Sequence, residues 1–560
     1  MSEEVRARTE NTTGWTAPWR EPTLLAAATL LLLLPFIAKP FHIDDPLFLW
    51  AAQQARVHPL DFYGFDVNWY GATMPMSTVA MNPPLGSFFL AGVSLFAGWS
   101  EVGLHLGMLV PALAAVLGTW RLARQFTAPP LFSALALLSL PGFLVSATTL
   151  MPDVMATALW CWAVVLWMEG LARDGIGHFA GAALLAGACV VTKYVGIGLV
   201  LLFLVHGTLV RRRPGLWLVV PVGVALVAFA YAIYVHSLYG LNPFSMASRY
   251  AQHSREQSGT WASHTLVGLA FLGGSAATIA FLMPWLWSWR QIVGFGIGVL
   301  VLAIAFSVIA TLVPYPPPAL QGETWLRLAH PAVFVCLGVQ IVVLVARRLV
   351  RDADADAILL ASWIAGVFVF AAFANWTTNV RSLLLALPAV AILLLGEAGR
   401  SVSPGSARCL LVPLTFGTAI ALAVAHADYA LARANQAAAK DLTASARSWN
   451  GPVRFEGTWG FQQYMQSGGV RKVDFHESQL VPGTLLVVSA RSAPPDPTSF
   501  VFLETRAYPV AALASTLSLE RGSGFYSDVF GPVPFALGWA PPERFTLLKV
   551  VHPIPLVFKP

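Results

Sequence analysis

The chain has 560 residues, of which 57% are hydrophobic and only 11% charged, and its mean hydropathy is +0.66. A soluble domain carries about 25% charged residues, so a single soluble domain, a disordered chain and a fibrous protein are excluded and a polytopic membrane protein is implied. The net charge of +6 sits largely in short basic tracts between apolar runs: Arg211-Arg212-Arg213, Arg347-Arg348 with Arg351, and Arg400 with Arg408. These read as cytoplasmic anchors, and no nucleic-acid role is expected without a soluble basic domain to carry it. The four cysteines, Cys161, Cys189, Cys336 and Cys409, lie within or at the edge of apolar runs and give no compartment signal.

In chain order, a polar stretch to Glu21 precedes a continuous apolar run from Pro22 to Ala38, with no small-residue cleavage site after it. The pattern predicts an uncleaved first transmembrane helix behind a cytoplasmic segment, residues 1–21. An aromatic and acidic stretch, 39–83, comes next, and then a short apolar stretch, 84–98. Spanning runs of about 20 apolar residues follow at roughly 103–124, 129–148, 153–172, 177–193, 195–211, 215–237, 264–287, 291–313, 329–348, 356–374, 381–398 and 408–426. If 84–98 also crossed, Arg121, Arg124, Arg173 and the triple arginine would fall outside; as an interfacial or re-entrant helix entered through Pro83-Pro84, it leaves them inside.

The reading is therefore mainly α: a polytopic helical bundle of about 13 transmembrane helices over 22–426, with an extracytoplasmic loop at 39–102. A small extracytoplasmic C-terminal domain, α+β or β-rich, occupies 427–560. Within it, 427–448 reads as a helix leading out of the membrane, and 484–489, 500–503 and 545–551 read as strands between Pro and Gly turns. No internal repeat of the transporter kind is evident.

Candidate chemistry clusters at the outer face. His42-Ile43-Asp44-Asp45-Pro46 follows the first helix directly. It is either a solvated Asp-Pro turn, or a general base, Asp44 or Asp45, with its neighbour orienting it, or a pair that binds a cation. Asp153, in Met151-Pro152-Asp153, is either a helix N-terminal charge or a second acidic group on the same face. Lys193, in Thr192-Lys193-Tyr194, either snorkels or meets an anionic lipid phosphate. Arg249, His253 and Arg255 lie within seven residues of a loop that is either merely solvated or a phosphate fork. Trp69, Tyr70, Trp459 and Tyr464 suit either sugar stacking or an interfacial aromatic belt. Glu456-Gly-Thr-Trp-Gly460 reads as packing first and as an acceptor-side element second.

The order and spacing of these motifs resemble the GT-C superfamily of integral-membrane glycosyltransferases, specifically the dolichyl-phosphate-mannose protein mannosyltransferase and aminoarabinose transferase group. The resemblance covers about residues 22–400. It rests on Asp44-Asp45 after the first helix, Asn82-Pro83-Pro84-Leu85, Ser100-Glu101 opening the second span, Pro152-Asp153, Thr192-Lys193-Tyr194, and Arg381 with Leu384 and Pro388. It implies that Asp44 is the catalytic base and that Asp153 and Lys193 belong to the substrate site, Lys193 as a phosphate contact. Leu47 and Phe48 stand where many relatives have Arg-Tyr, and Asn82 where they often have Lys or His, so further phosphate contacts are expected from Arg249, His253 or Arg255.

The resemblance thus implies a membrane hexosyl or pentosyl transferase that uses a polyprenyl-phosphate sugar as donor and inverts the anomeric centre by direct displacement. The acceptor would be a hydroxyl of a protein, lipid or glycan. No cofactor is implied with certainty, no metal ligand is assigned, and a divalent cation at the acidic pair stays open. The expected location is a bacterial inner (plasma) membrane with the active site on the extracytoplasmic, periplasmic face. The alternative is a transporter or flippase of a lipid-linked sugar.

Overall fold

A bilayer offers backbone amides no water, so long apolar runs must satisfy their hydrogen bonds internally as helices. The computed structural model describes residues 19–80, 82–126, 128–256, 259–312, 325–477, 479–489 and 497–556. Most of the cytoplasmic segment expected at 1–21 lies outside these residues. The chain is a multi-pass membrane protein. By length and composition, nine helices among the described residues can cross a membrane, or ten if Trp261–Ser275 and Ile279–Leu286, bent by 85°, form one broken span.

About 13 spans were expected, and the remaining runs form shorter helices. The run 129–148 divides into Pro130–Ser139 and Pro141–Ser146, because a proline disfavours helical backbone at the residue before it. The run 177–193 gives Ile176–Val190, 15 residues. Leu85–Ala97 starts and ends at one end of the bundle: the Leu85 amide donates to the Val191 carbonyl (3.1 Å), and Ser94, near its other end, accepts from Arg56 of helix Asp45–Val57 (3.1 Å).

Charges sort to the two ends of the bundle. Helices Glu101–Ala123 and Asp153–Arg173 meet at one end through the Arg121–Glu169 ion pair. Nearby, Trp120 Nε1 donates to Glu21 (2.7 Å) and Arg211 pairs with Asp174 (3.2 Å). Arg351 binds Glu397 (2.6 Å), and Arg400 binds Asp352 (3.1 Å), at the ends of their own helices. The opposite ends of helices Glu101–Ala123 and Asp153–Arg173 hold Glu101, which accepts from Tyr464 (3.0 Å), and Asp153. The arginine-rich end is therefore one face, as charge parity predicts.

Helix Leu411–Arg447 has 37 residues and so is about 55 Å long, well beyond a bilayer core of about 30 Å. It carries the chain into an α+β region. Strands β1 (Asp66–Asn68) and β2 (Thr73–Pro75) form a small hairpin in the segment between Asp45–Val57 and Leu85–Ala97. The C-terminal sheet contains β3 (Val453–Glu456), β4 (Arg471–Lys472), β5 (Leu485–Ser489), β6 (Phe500–Tyr508) and β7 (Glu543–Val550), in the order β4-β3-β5-β7-β6. β3 runs parallel to β4 and β5, and β7 runs antiparallel to β5 and β6. β5 is buried throughout, as an interior strand covered on both faces should be. Phe455, Phe461, Val487 and Phe545 pack with Ala438, Ala439 and Leu442 of the long helix.

One stretch departs from this plan. Val510, Ala512, Ala514, Leu517, Phe525, Tyr526, Val533 and Phe535 belong to the core of the membrane bundle rather than to that of the sheet. Residues 510–540 thus form a strap that leaves the sheet after β6, crosses the bundle and returns as β7.

Candidate functional site

The acidic pair lies in a tight turn. Ile43 has a φ of +45°, an unusual and costly conformation for a β-branched residue. The turn is closed by the Asp45 amide donating to the His42 carbonyl (3.0 Å). The Asp45 carboxylate is fully buried and accepts the amides of His42 on Oδ2 and Leu150 on Oδ1, both at 2.9 Å. Burial lifts its pKa from 3.8 to about 7, against the pull of Lys39 and the two amides. Asp45 therefore staples the segment after the first helix to the turn before Asp153, with both oxygens occupied. Asp44 keeps 25% of its side chain exposed and pairs through Oδ2 with Arg381 Nη2 at 3.0 Å. The two neighbours have different work.

Asp153 begins its helix and is buried against Lys193, which closes an ion pair with it. The motifs read from the sequence converge around that pair. The Leu85 amide bonds the carbonyl of Val191, two residues before Lys193. At Gly86 a Cβ would stand 2.6 Å from the Cβ of Pro152, so only glycine allows this approach. Arg381 reaches the same place from the far part of the chain, with Nη1 2.6 Å from Met151 Sδ. Its Nε is buried without a hydrogen-bond partner among the described residues. The ring of Tyr526 lies 5.8 Å from its guanidinium carbon.

Asp153, Lys193, Arg381 and Asn82 line one end of a cavity of about 620 Å³. The cavity continues between helices Gly198–Arg211 and Ala355–Val369 as an apolar groove lined by Trp160, Leu201, Leu202, Val205, Trp363 and Val367. Leu201 is 68% exposed, so the groove opens on the outer surface of the bundle. Two cations, each already facing a carboxylate, thus stand at the head of an apolar channel. Such a site suits an anionic head group on a long apolar tail.

The arginine-rich loop is placed differently. It forms helix Pro243–Glu256; Tyr250 and Ala251 line the cavity, while Arg249 and His253 are exposed. The Arg255 guanidinium binds the carbonyls of Asn375 (2.5 Å) and Ala371 (3.0 Å) and meets His264 Nδ1 (2.9 Å). These bonds brace the 371–378 segment and tie it to helix Trp261–Ser275. Trp69 is buried edge-on against Trp50, and the Tyr464 hydroxyl accepts the Phe41 amide (2.8 Å) while donating to Glu101. Gly460 presses on the Phe41 carbonyl, 1.9 Å from where a Cβ would sit, so the Glu456–Gly460 motif packs against the segment that leads to the acidic turn.

Beneath the turn lies a network that sequence reasoning did not assign. Lys39 and Asp428 are fully buried and pair at 2.5 Å. Asp428 also accepts Thr516 (2.8 Å) and Tyr526 (2.7 Å) and lies 3.5 Å from His42 Nε2. Lys39 and Asp428 carry one available signal, an ionisable residue at the edge of an apolar run; Tyr526 carries none. The sequence marks Arg381 as part of a helix motif and not as a site residue. Among the described residues, no group of three or more His, Cys, Asp or Glu side chains is placed to hold a metal ion.

No curated protein matches the chain. Among solved structures, the chain is similar to ArnT from Cupriavidus metallidurans bound to undecaprenyl phosphate, at 16% identity over 97% of this chain and 100% of that one, with a TM-score of 0.46. It is also similar to the oligosaccharyltransferase AglB from Archaeoglobus fulgidus in complex with an inhibitory peptide and a dolichol-phosphate, at 12% identity over 81% and 64% of the chains and a TM-score of 0.48. The mycobacterial arabinofuranosyltransferase AftD aligns at 13% identity over 96% of this chain and 40% of that one, with a TM-score of 0.41. Residues 81–238, the stretch that holds Asn82, Asp153 and Lys193, match the family of dolichyl-phosphate-mannose-protein mannosyltransferases, so the resemblance to GT-C membrane glycosyltransferases is borne out on the residues that form one side of the cavity.

Proposed function

We propose that the protein is a membrane glycosyltransferase that moves a hexosyl or pentosyl group from a polyprenyl-phosphate donor to a hydroxyl of an extracytoplasmic protein, lipid or glycan. The observation that carries this reading is the placement of Lys193 and Arg381 at the head of the apolar groove, with Asp44 paired to Arg381. The match over residues 81–238 supports it. The lipid chain would lie in the groove and the phosphate would meet the two cations. Arg381 has donors to spare, since Nε is unpartnered and the Met151 thioether is a weak acceptor. An arginine fork suits phosphate oxygens.

In the reaction, the acceptor oxygen forms a bond to the anomeric carbon as the bond from that carbon to the phosphate oxygen breaks. The hydroxyl proton passes to Asp44, and the electron pair leaves with the phosphate. A positioned base contributes about 10²–10⁴ in rate. Lys193 and Arg381 would stabilise the charge gathering on the leaving phosphate, so no strong general acid is required. Displacement from the face opposite the phosphate inverts the anomeric centre. Asp45, with both oxygens bound to amides, would hold the turn rather than touch substrate. The arginine-rich end of the bundle would face the cytoplasm, which puts the cavity head, the acidic turn and the sheet on the extracytoplasmic side of a plasma membrane.

The test is transfer of label from a panel of polyprenyl-phosphate sugars by the purified full chain in lipid, wild type beside Asp44→Asn. The expected result is transfer from one donor, reduced by about 10²–10⁴ in the variant. Full activity in a folded Asp44→Asn protein would remove Asp44 as the base. Donor binding by the wild type with no transfer to any acceptor would favour a lipid-linked sugar transporter instead.

A further inference from the structure

The strap at 510–540 does more than cover the bundle. Its middle is hydrogen-bonded, on both sides of Tyr526, to the segment just before Arg381. The Val380 amide, immediately before Arg381, donates to the Phe525 carbonyl (3.0 Å), and the Asp528 amide donates to the Thr378 carbonyl (3.0 Å). Thr377 Oγ1 bonds Ser527 Oγ (2.9 Å) and the Asp528 carboxylate. Farther along, Phe535 packs on Phe334 of the membrane bundle at 5.0 Å. These contacts leave the Tyr526 ring little freedom.

The ring stands between two charged groups. Its face is 5.8 Å from the Arg381 guanidinium carbon, its hydroxyl donates to Asp428 Oδ2 at 2.7 Å, and it meets His42 edge-on at 5.7 Å. The contacts close a circuit: Asp44 to Arg381, Arg381 to Tyr526, Tyr526 to Asp428, Asp428 to His42, and His42 back along the chain to Asp44. Every member but Asp44 is nearly or fully buried. A guanidinium that holds only one carboxylate and one thioether is weakly constrained by hydrogen bonds, since Nε has none. The face of an aromatic ring constrains it without consuming an N–H donor.

We propose that Tyr526, delivered by the C-terminal strap, is a positioning residue that holds the Arg381 guanidinium toward Asp44 and the cavity with its N–H donors free, which makes the strap part of the catalytic centre. The inference rests on the preceding reading of Arg381 as a phosphate contact. Tyr526 touches no substrate and acts only through Arg381. Truncating the ring therefore lets the guanidinium turn away, whereas removing the hydroxyl alone leaves the ring in place.

The experiment is a double-mutant cycle on the full chain in lipid nanodiscs, read as affinity for undecaprenyl phosphate. The proteins are wild type, Tyr526→Leu, Tyr526→Phe, Arg381→Gln and the double variant Tyr526→Leu/Arg381→Gln. Tyr526→Leu is expected to weaken binding on the order of tenfold, the size of a desolvated cation–π contact, and Tyr526→Phe to stay within about threefold of wild type. The double variant is expected to bind no worse than Arg381→Gln alone, because a residue that acts through Arg381 has nothing to act on once Arg381 is gone. Additive losses would overturn the proposal and leave Tyr526 as packing. If Tyr526→Leu does not fold, a loss well beyond threefold in a folded Tyr526→Phe protein overturns it equally. A wild type that does not bind undecaprenyl phosphate would instead bring down the reading of Arg381 on which the proposal rests.

Discussion

At the end of the bundle that carries Arg121, Arg211, Arg351 and Arg400, the paired arginines keep 31% to 41% of their side chains exposed, although the Glu397 carboxylate that two of them share is nearly buried. At the opposite end, Lys39 and Asp428 are fully buried and Asp153 is nearly so. The first kind of pair contributes little to stability and serves to place the chain in the bilayer. The second is expensive, because taking both ions out of water costs more than their attraction returns unless further hydrogen bonds complete it. Asp428 has those bonds, from Thr516 and Tyr526. Expensive charge beside a cavity, and cheap charge at the other face, is the arrangement expected when only one end does chemistry.

The sharpest way to break this comparison is to remove one partner of the buried pair. Lys39→Met leaves the Asp428 carboxylate without its cation in the core, and the loss is expected to be about 3–5 kcal/mol, read as a lowered thermal midpoint of the detergent-purified protein. Adding Asp428→Leu should recover only part of it, since Thr516 and Tyr526 then lose their acceptor. A Lys39→Met protein that melts with the wild type would show that the pair holds nothing together.

The helices and the three principal strands were legible because their signals are local: apolar length for the one, β-branched runs between turns for the other. The convergence of Pro152-Asp153 with Lys193 was legible for a similar reason, since the two motifs mark the same end of adjacent helices. Lys39 and Asp428 are 389 positions apart, and nothing in the residues around Lys39 points to its partner. The strap was the hardest part. Residues 510–540 have the Pro and Gly turns of the domain around them, yet their apolar side chains belong to the bundle core, and no periodicity records which of two cores a short apolar run will choose. Arg255 marks the opposite limit: phosphate and backbone carbonyls ask for the same donors, and the sequence does not say which will take them.

A smaller effect sharpens the contrast between the neighbours Asp44 and Asp45. Burial raises the Asp45 pKa from 3.8 to about 7. Between those values the folded protein holds a proton that the unfolded chain has released, so stability falls as pH rises, by about 1.4 kcal/mol per pH unit; above about 7 the effect levels off. Thermal midpoints of wild type and Asp45→Asn from pH 5 to 8 should therefore diverge up to about pH 7 and run parallel beyond it, the variant lacking the slope. Parallel curves over the whole range would mean that this carboxylate stays ionised in its two amide bonds.

The least perturbing substitution is at the cheap end. Arg400→Gln removes one cation from a cluster in which Asp352 is also bound by Arg351 (2.9 Å) and Arg348 (3.4 Å) and Glu397 is also bound by Arg351 (2.6 Å). No carboxylate is left alone, and the lost side chain already faces solvent. The expected cost is below about 1 kcal/mol. Salt supplies the discriminating condition, because the Debye length is about 3 Å at 1 M and exposed pairs are screened while buried ones are not. The difference between Arg400→Gln and wild type should therefore fade in 1 M salt, whereas the Lys39→Met penalty should persist. If the two substitutions cost the same and respond to salt alike, burial does not separate the ends of this bundle, and the case for chemistry at one of them rests on the cavity alone.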